Sequence, residues 1–376
     1  MPKIVFTGSF QYPSGYASTK RINHLISYLN KVGYNCQVVL FSNNKRSGIF
    51  NQTFYKSLYL FDFKIFNFIF LPLAQVQFIK LLYANPKKDK KYLYVYSGIT
   101  FENILIILFA RFWKYRIIVD FVEDFSYHKE NVSFIRRIKI WSNSVFEKKV
   151  SLLADYIIVI SDFLLIKYKK LVPIDFPIFL LPISAQPNHI KKCISGSRQI
   201  KVLYSGTYGI KDGIKYLIHA FIKLVDEIND IILILTGEVK GDVKQLLSGY
   251  TDKVVMTGYL SDEEYYKQLK NADILVVPRI NSTYANAGFP FKLGEYLATG
   301  NPVVTTNVSD IKNYLTDKES AIIVEPESSE SIFQGIKFLI KDPIKAAEIG
   351  NSGKMICEKY FNTDINGQRF INFIEK

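Results

Sequence analysis

Histidine and cysteine are scarce in this chain, acidic residues are few in its first half, and long apolar runs are missing. The three cysteines, Cys36, Cys193 and Cys357, lie far apart without metal-ligand spacing. So sparse and odd a set argues against a disulfide framework, fits a reducing compartment and leaves the thiols as small buried hydrophobes. No metal site is expected. His24 and His219 fall within helical patterns, where packing or surface roles suffice; His128, close to the 120–124 segment, is the histidine placed to take part in chemistry. Met1-Pro2-Lys3 runs straight into Ile4-Val5-Phe6, and Gly8 stops that run too early for a signal-peptide core, so no secretory leader is expected. No segment reaches the ~18 uninterrupted apolar residues of a membrane span. The nearest, Ile65 to Ile79, holds Asn67, Pro72, Gln75 and Gln77 and reads as a buried or interfacial helix.

What is present is a globular composition, 48% hydrophobic and 22% charged over 376 residues. That is enough chain for two domains of about 180 residues each. The charge is divided unevenly. Residues 1–200 hold 28 Lys+Arg against 11 Asp+Glu, a net of +17, whereas residues 201–376 hold 20 against 23. The whole excess of +14 therefore sits in the first half. Such a field attracts an anionic membrane surface or a phosphorylated acceptor, or serves solubility alone. Nucleic acid is not expected, because no recognition-helix, RRM or zinc-finger pattern is present.

Strand and helix patterns alternate twice. In the first half, strands are expected at Ile4–Thr7, Cys36–Phe41, Leu93–Tyr96, Ile117–Phe121 and Tyr156–Ile160, with a helix over about Ser18–Val32. Pro173 to Ser197, with four prolines, reads as a linker. In the second half, strands are expected at Ile200–Tyr204, Ile231–Leu235, Val254–Thr257, Ile274–Val277, Pro302–Thr305 and Ala321–Val324, with helices between them. This predicts an α/β protein of two Rossmann-like, doubly wound domains. The first is expected over 1–190 and the second over 198–357, with the tail 358–376 packing back on the first.

In open α/β sheets, ligands bind beyond the carboxyl ends of the strands. Two loops there carry suitable residues. Ser205 to Gly213 follows a strand and opens a helix; its glycines, Gly206 first with Thr207 beside it, let the backbone approach a phosphate, and Lys211 adds a charge suited to a diphosphate. An ordinary strand-to-helix turn is the plainer reading. The second segment runs from Ala272 through Arg279 to Val304 and contains Gly288-Phe289-Pro290-Phe291-Lys292-Leu293-Gly294-Glu295. Pro290 suits a helix start. Glu295 can accept two hydrogen bonds from a ribose diol, or simply complement the helix dipole. Arg279 and Lys292 can neutralise a diphosphate leaving group.

This second segment resembles the donor-binding region of the family 4 glycosyltransferases, which have the GT-B fold of two Rossmann-like domains facing across a cleft. The similarity extends through Ser205–Gly213, Thr236-Gly237-Glu238, Thr257-Gly258-Tyr259 and, in the first half, Ala154-Asp155-Tyr156-Ile157-Ile158-Val159-Ile160-Ser161. The resemblance implies a retaining, metal-independent transfer from a nucleotide-diphosphate sugar (a UDP- or GDP-sugar) to a glycan or polyprenyl-linked acceptor, without a cofactor. By it, Glu295 would hold the ribose hydroxyls and Lys211 the diphosphate, with Gly258 and Tyr259 bordering the base. Phe289, Pro290 and Phe291 would present backbone amides, and the loop around Ser14 and Gly15 would approach the diphosphate from the other domain.

Two positions depart from the family. Its usual glutamate eight residues before Glu295 is Ala287 here, which leaves the sugar contact to another group such as Asn286. The histidine usual after a first-domain strand is absent from Val119-Asp120-Phe121-Val122-Glu123-Asp124, where Glu123 or Asp120 could take a polar, catalytic role or only cap a helix.

The aromatic stretch Tyr55, Tyr59, Phe61, Phe63, Phe66, Phe68 and Phe70, with the basic first half, suits a lipid-linked acceptor at the inner face of the cell membrane and so cell-surface polysaccharide synthesis; a core segment is the alternative. Rival functions are a nucleotide-sugar 2-epimerase of the same fold and a non-catalytic nucleotide-sugar-binding subunit. A dinucleotide oxidoreductase is the weakest rival, since Gly8 and Gly15 lack the Gly-x-Gly-x-x-Gly spacing and no acidic residue ends the second strand at Phe41.

Overall fold

The computed structural model describes residues 1–41, 47–58, 64–84, 90–124, 133–186 and 199–376. The chain divides into two compact units, Met1–Pro182 with Thr363–Lys376, and Ile183–Asn362.

The first unit opens with β1 (Lys3–Gly8), α1 (Ala17–Lys31), β2 (Asn35–Leu40), β3 (Ser47–Phe50) and β4 (Thr53–Ser57). It continues through α2 (Lys64–Ile69), α3 (Leu71–Tyr83), β5 (Lys91–Tyr96), α4 (Ile104–Phe112) and β6 (Arg116–Phe121). The remaining elements are α5 (Phe134–Glu147), α6 (Val150–Leu153), β7 (Tyr156–Val159), α7 (Asp162–Lys169) and β8 (Ile178–Leu180). The sheet order is β3-β4-β2-β1-β5-β6-β7-β8, parallel except where β3 runs against β4. The strand cores explain the arrangement. Tyr92–Val95, Ile117–Val119 and Ile157–Val159 are apolar without alternation and buried, as strands covered on both faces require.

Three features differ from the sequence expectation. The β3–β4 hairpin turns at Asn51 and Gln52, both with left-handed backbone, but lacks the glycine that usually announces such a turn. The apolar run from Ile65 to Ile79 is split into α2 and α3, with Pro72 in the first turn of α3, where its missing N–H costs nothing. The proline-rich stretch expected as linker contains strand β8, which pairs with β7; its later part, 187–198, lies outside the described residues.

The second unit contains β9 (Ile200–Ser205), α8 (Ile214–Glu227), β10 (Ile231–Thr236), α9 (Gly241–Leu246), β11 (Val254–Gly258) and α10 (Asp262–Asn271). Then follow β12 (Ile274–Val277), α11 (Thr283–Ala287), α12 (Phe291–Thr299), β13 (Val303–Thr306), α13 (Ile311–Tyr314), β14 (Ile322–Val324), α14 (Ser329–Lys341) and α15 (Pro343–Ile356). Its sheet, in the order β11-β10-β9-β12-β13-β14, is wholly parallel. The order reverses direction between β9 and β12. Connections there diverge to opposite sides and leave a crevice at the carboxyl ends, the place where ligands bind in such sheets.

The last helix, α16 (Thr363–Ile374), belongs to the first unit. Tyr28 donates to Gln368 at 2.6 Å, Tyr34 to Glu375 at 2.5 Å and Tyr156 to the Ile374 carbonyl at 3.0 Å. Phe370 is fully buried against Tyr94.

Candidate functional site

The loops after β9 and β12 meet at the reversal point of the second sheet. Gly213 has φ +62°, and a Cβ there would lie 1.9 Å from the Pro278 carbonyl oxygen. Glycine thus lets the first loop pass directly against the second. The Ile280 N–H donates to the Lys211 carbonyl at 3.2 Å and ties the loops again. Asp212 closes the turn by accepting from the Gly209 N–H at 3.0 Å.

Four charged groups gather here. Lys292, in the first turn of α12, lies 3.4 Å from Asp212 and donates to the Tyr204 hydroxyl at 3.1 Å. Its ammonium stands 4.2 Å from the centre of the Tyr204 ring. Lys211 donates to the Tyr284 hydroxyl at 3.3 Å, with its ammonium 4.4 Å from that ring. Arg279, just after β12, is buried and acts electrostatically on both Asp212 and Lys292. Burial lowers the pKa of Lys292; Asp212 opposes that shift, and the positive charges of Arg279 and Lys211 reinforce it. Burial would raise Asp212, but Lys292, the Gly209 N–H, Lys211 and Arg279 together hold it below the usual carboxylate value. Of these four groups three are cations and one is an anion, beside the start of α12.

Gly206 keeps the space beside Lys292 open. A Cβ there would lie 2.4 Å from the Tyr204 hydroxyl and 2.7 Å from the Lys292 ammonium. Any larger residue would push the lysine from its position. Thr207 next to it is exposed.

Glu295 is only 5% exposed. Its Oε2 accepts from Tyr265 at 2.9 Å and its Oε1 from Tyr266 at 3.2 Å. Phe289 and Leu293 bury their side chains, Phe289 against Tyr314 and Phe361, so contact with a ligand would be through main chain. Pro290, the residue preceding α12, has no N–H to offer, which corrects the expectation that it presents an amide. Phe291 and Lys292 supply the first N–H groups of that helix. Asn286 accepts from the Ser309 N–H at 2.8 Å and donates to Asn281 at 2.8 Å, so its amide braces the loop after β13. Ala287 is fully buried. Gly258 ends β11, and Tyr259 beyond it is 59% exposed.

The remaining residues lie in the first unit, each described within that unit alone. Ser14 and Gly15 are exposed in the loop after β1. Asp120 is fully buried at the end of β6. It accepts from Arg21 Nε at 2.9 Å and Nη2 at 3.1 Å, and from the Tyr94 hydroxyl at 2.6 Å. Arg21 also donates to the carbonyls of Pro182 and Leu181, at 2.9 and 3.0 Å. Asp120 is therefore bound up inside the fold, an arrangement that makes it a structural anchor rather than a group reaching a substrate. Asp124 is likewise buried and paired with Lys167 at 2.8 Å. Glu123, between them, is partly exposed. His128 lies outside the described residues.

Tyr204, Asp212, Tyr265, Tyr266 and Arg21 do not stand out in the sequence. Ser261-x-x-Glu264 does carry a visible capping spacing. Nothing local marks the other partners.

The sequence pattern of the family "Glycosyl transferases group 1" matches residues 186–355. Residues 186–355 are therefore similar to a group 1 glycosyl transferase domain. An uncharacterized glycosyltransferase of Methanocaldococcus jannaschii is 26% identical over 163 residues, 42% of this chain and 40% of that protein. The phosphatidyl-myo-inositol mannosyltransferase of Mycobacterium leprae is 23% identical over 163 residues, 42% of each chain. The matches thus span about two fifths of the length of these curated relatives. A crystal structure of Anabaena HepE in complex with UDP-glucose superposes with a TM-score of 0.73 at 14% identity, covering 99% of both chains. That likeness shows the fold: the two units have the two Rossmann-like sheets of GT-B proteins.

Proposed function

We propose that the chain is a retaining hexosyltransferase whose second unit binds a nucleoside-diphosphate sugar, UDP- or GDP-linked, and whose first unit receives a glycan or polyprenyl-linked acceptor. The observation that carries this reading is the surplus of cations, Lys211, Lys292 and Arg279 around Asp212, at the reversal point of a parallel sheet. Glycosyl transfer breaks the bond between the anomeric carbon and a diphosphate oxygen, and negative charge grows on the departing diphosphate. Preorganised cations and helix N–H groups stabilise that charge without reorganising. The acceptor hydroxyl oxygen bonds to the anomeric carbon on the face the diphosphate leaves, and its proton passes to the departing phosphate oxygen. In this scheme Glu295 takes the ribose hydroxyls, Gly206 and Thr207 admit the phosphates, and Tyr259 with Gly258 borders the base. Asn286 and the amides of Phe289 and Phe291 lie toward the sugar. Gly15 and Glu123 belong to the first-unit side of the reaction. Charge neutralisation by side chains makes a metal unnecessary, so chelation with EDTA should leave turnover unchanged.

A membrane-linked acceptor is supported by the first unit's surface. Among the described residues, no helix is long and apolar enough to cross a membrane. Phe66, Phe68 and Phe70 are exposed, Tyr55 is packed on Tyr12, and Tyr59, Phe61 and Phe63 lie outside the described residues. Helix α5 adds Phe134 and Trp141, 74% and 66% exposed, beside exposed Arg136 and Arg137. Exposed aromatics interleaved with cations suit an anionic bilayer surface. On this reading the protein works at the inner face of the cell membrane in the synthesis of a surface polysaccharide.

The test is a thermal-shift screen with UDP, GDP, ADP and TDP, their sugar conjugates, and NAD as control. A diphosphate at 100-fold its Kd should add about 2.7 kcal/mol. Stabilisation by one base series, lost in Lys211→Ala, supports the site. No shift, or a shift with NAD alone, defeats it. Conversion of the donor without an acceptor would instead indicate an epimerase.

A further inference from the structure

The Glu295 carboxylate is held by a pair of adjacent residues from another helix. Tyr265 and Tyr266 are consecutive in α10, about 100° apart around its axis. Each donates to a different carboxylate oxygen, at 2.9 and 3.2 Å. The start of α10 is itself fixed by a reciprocal cap. The Ser261 N–H donates to Glu264 at 3.0 Å, and the Glu264 N–H to the Ser261 hydroxyl at 3.3 Å. The Ser205 hydroxyl, immediately before Gly206, donates to the Tyr265 oxygen at 3.4 Å. The end of β9, the start of α10 and Glu295 on α12 are thereby joined in one network. Burial, then the charge of Glu295, pushes both phenol pKa values up, so both remain proton donors.

We infer that Tyr265 and Tyr266 are positioning residues that aim the Glu295 carboxylate at a ribose 2′,3′-diol and so set a preference for ribonucleotide over 2′-deoxyribonucleotide donors. The inference rests on the donor-site reading above. Two adjacent hydroxyls match two carboxylate oxygens, and a carboxylate oxygen accepts more than one hydrogen bond. Discrimination needs the carboxylate to stand still. A mobile one could turn to satisfy the single remaining hydroxyl of a deoxyribose, whereas one clamped at both oxygens cannot. The lost charge-assisted hydrogen bond then weakens binding by about tenfold or more.

The experiment measures Kd for UDP and 2′-deoxy-UDP, and for GDP and 2′-deoxy-GDP, by calorimetry on the full chain. Wild type is compared with Tyr265→Phe, Tyr266→Phe, the double variant and Glu295→Ala, with Tm as a control for folding. Wild type should bind one ribonucleotide about tenfold or more tighter than its deoxy form. In the double variant the ribonucleotide affinity should fall toward that of the deoxy form, which itself stays nearly constant. A purely structural role would weaken both forms equally and leave their ratio unchanged, which overturns the inference. Equal wild-type binding of both forms also overturns it while leaving the donor site intact. Binding of neither pair by wild type defeats the donor-site reading on which it rests.

Discussion

Both units bury charge near the carboxyl ends of their strands, but they dispose of it differently. In the first unit Arg21 meets Asp120, and Lys167 meets both Asp124 and Glu147, while Tyr94 donates to Asp120 and Tyr168 to Glu147. In the second unit Lys211, Lys292 and Arg279 all act on Asp212. The first arrangement sets two cations against three acids, with each cation paired directly to a carboxylate, and serves the fold. The second leaves positive charge in excess and is suited to an anion from outside. Charge balance, more than burial or the mere presence of carboxylates, separates the anchor from the site.

The largest effect expected from this contrast is on stability. Arg21→Leu would leave Asp120 buried without its cation and two carbonyls without their donor, a loss of about 3–5 kcal/mol in urea unfolding. A loss below about 1 kcal/mol would show that the cluster is open to water and that the comparison is wrong. Lys211→Ala should do the reverse: stability changes by less than about 1 kcal/mol, while the Kd of the diphosphate rises about 10- to 100-fold in calorimetry.

Lys292 gives a pH signature. Its pKa is lowered from the ordinary 10.5 by burial. The site therefore loses this charge before an ordinary lysine would, and diphosphate affinity falls by up to about tenfold per pH unit as pH rises through the lowered value. The unliganded fold responds with the opposite sign. A lysine whose folded pKa is depressed opposes folding at low pH, and that opposition is relieved as pH rises from the folded value to the ordinary unfolded one. Binding and stability measured across the alkaline range should thus diverge in wild type, and Lys292→Met should abolish the divergence. The smallest effect is at the first unit's surface. Trp141→Ser should alter stability by no more than about 0.5 kcal/mol, yet reduce sedimentation with anionic vesicles; unchanged sedimentation would remove α5 from the membrane reading.

Much of the architecture is legible because parallel strands buried on both faces read as short apolar runs. Ile231–Leu235 and Ile274–Val277 are such runs, and both are strands. The β3–β4 hairpin is not, because Asn51-Gln52 lacks a turn glycine and its residues are partly exposed. At the candidate site, Lys211 and Arg279 can be chosen from their places in the loops beyond strand ends, and Lys292 from its place at a helix start. Their common partner Asp212 is not singled out by any such pattern, although it adjoins Lys211. The clamp on Glu295 spans 30 residues and the Arg21–Asp120 pair spans 99. Such pairings exist only once the chain is folded, and no local spacing announces them. Asp120 is the clearest case: its place at the end of a strand suggests chemistry, while its partners from α1 and β5 make it an anchor.

The return of α16 to the first unit has a consequence for synthesis. The chain leaves that unit at Pro182 and rejoins it at Thr363. A ribosome making this protein therefore delivers every residue of the second unit before the first can be completed. Until Phe370 and Ile374 emerge, the apolar surface around Tyr94 and Tyr156 waits uncovered. A stop codon near position 362 would spare the unit just finished and injure the one begun first.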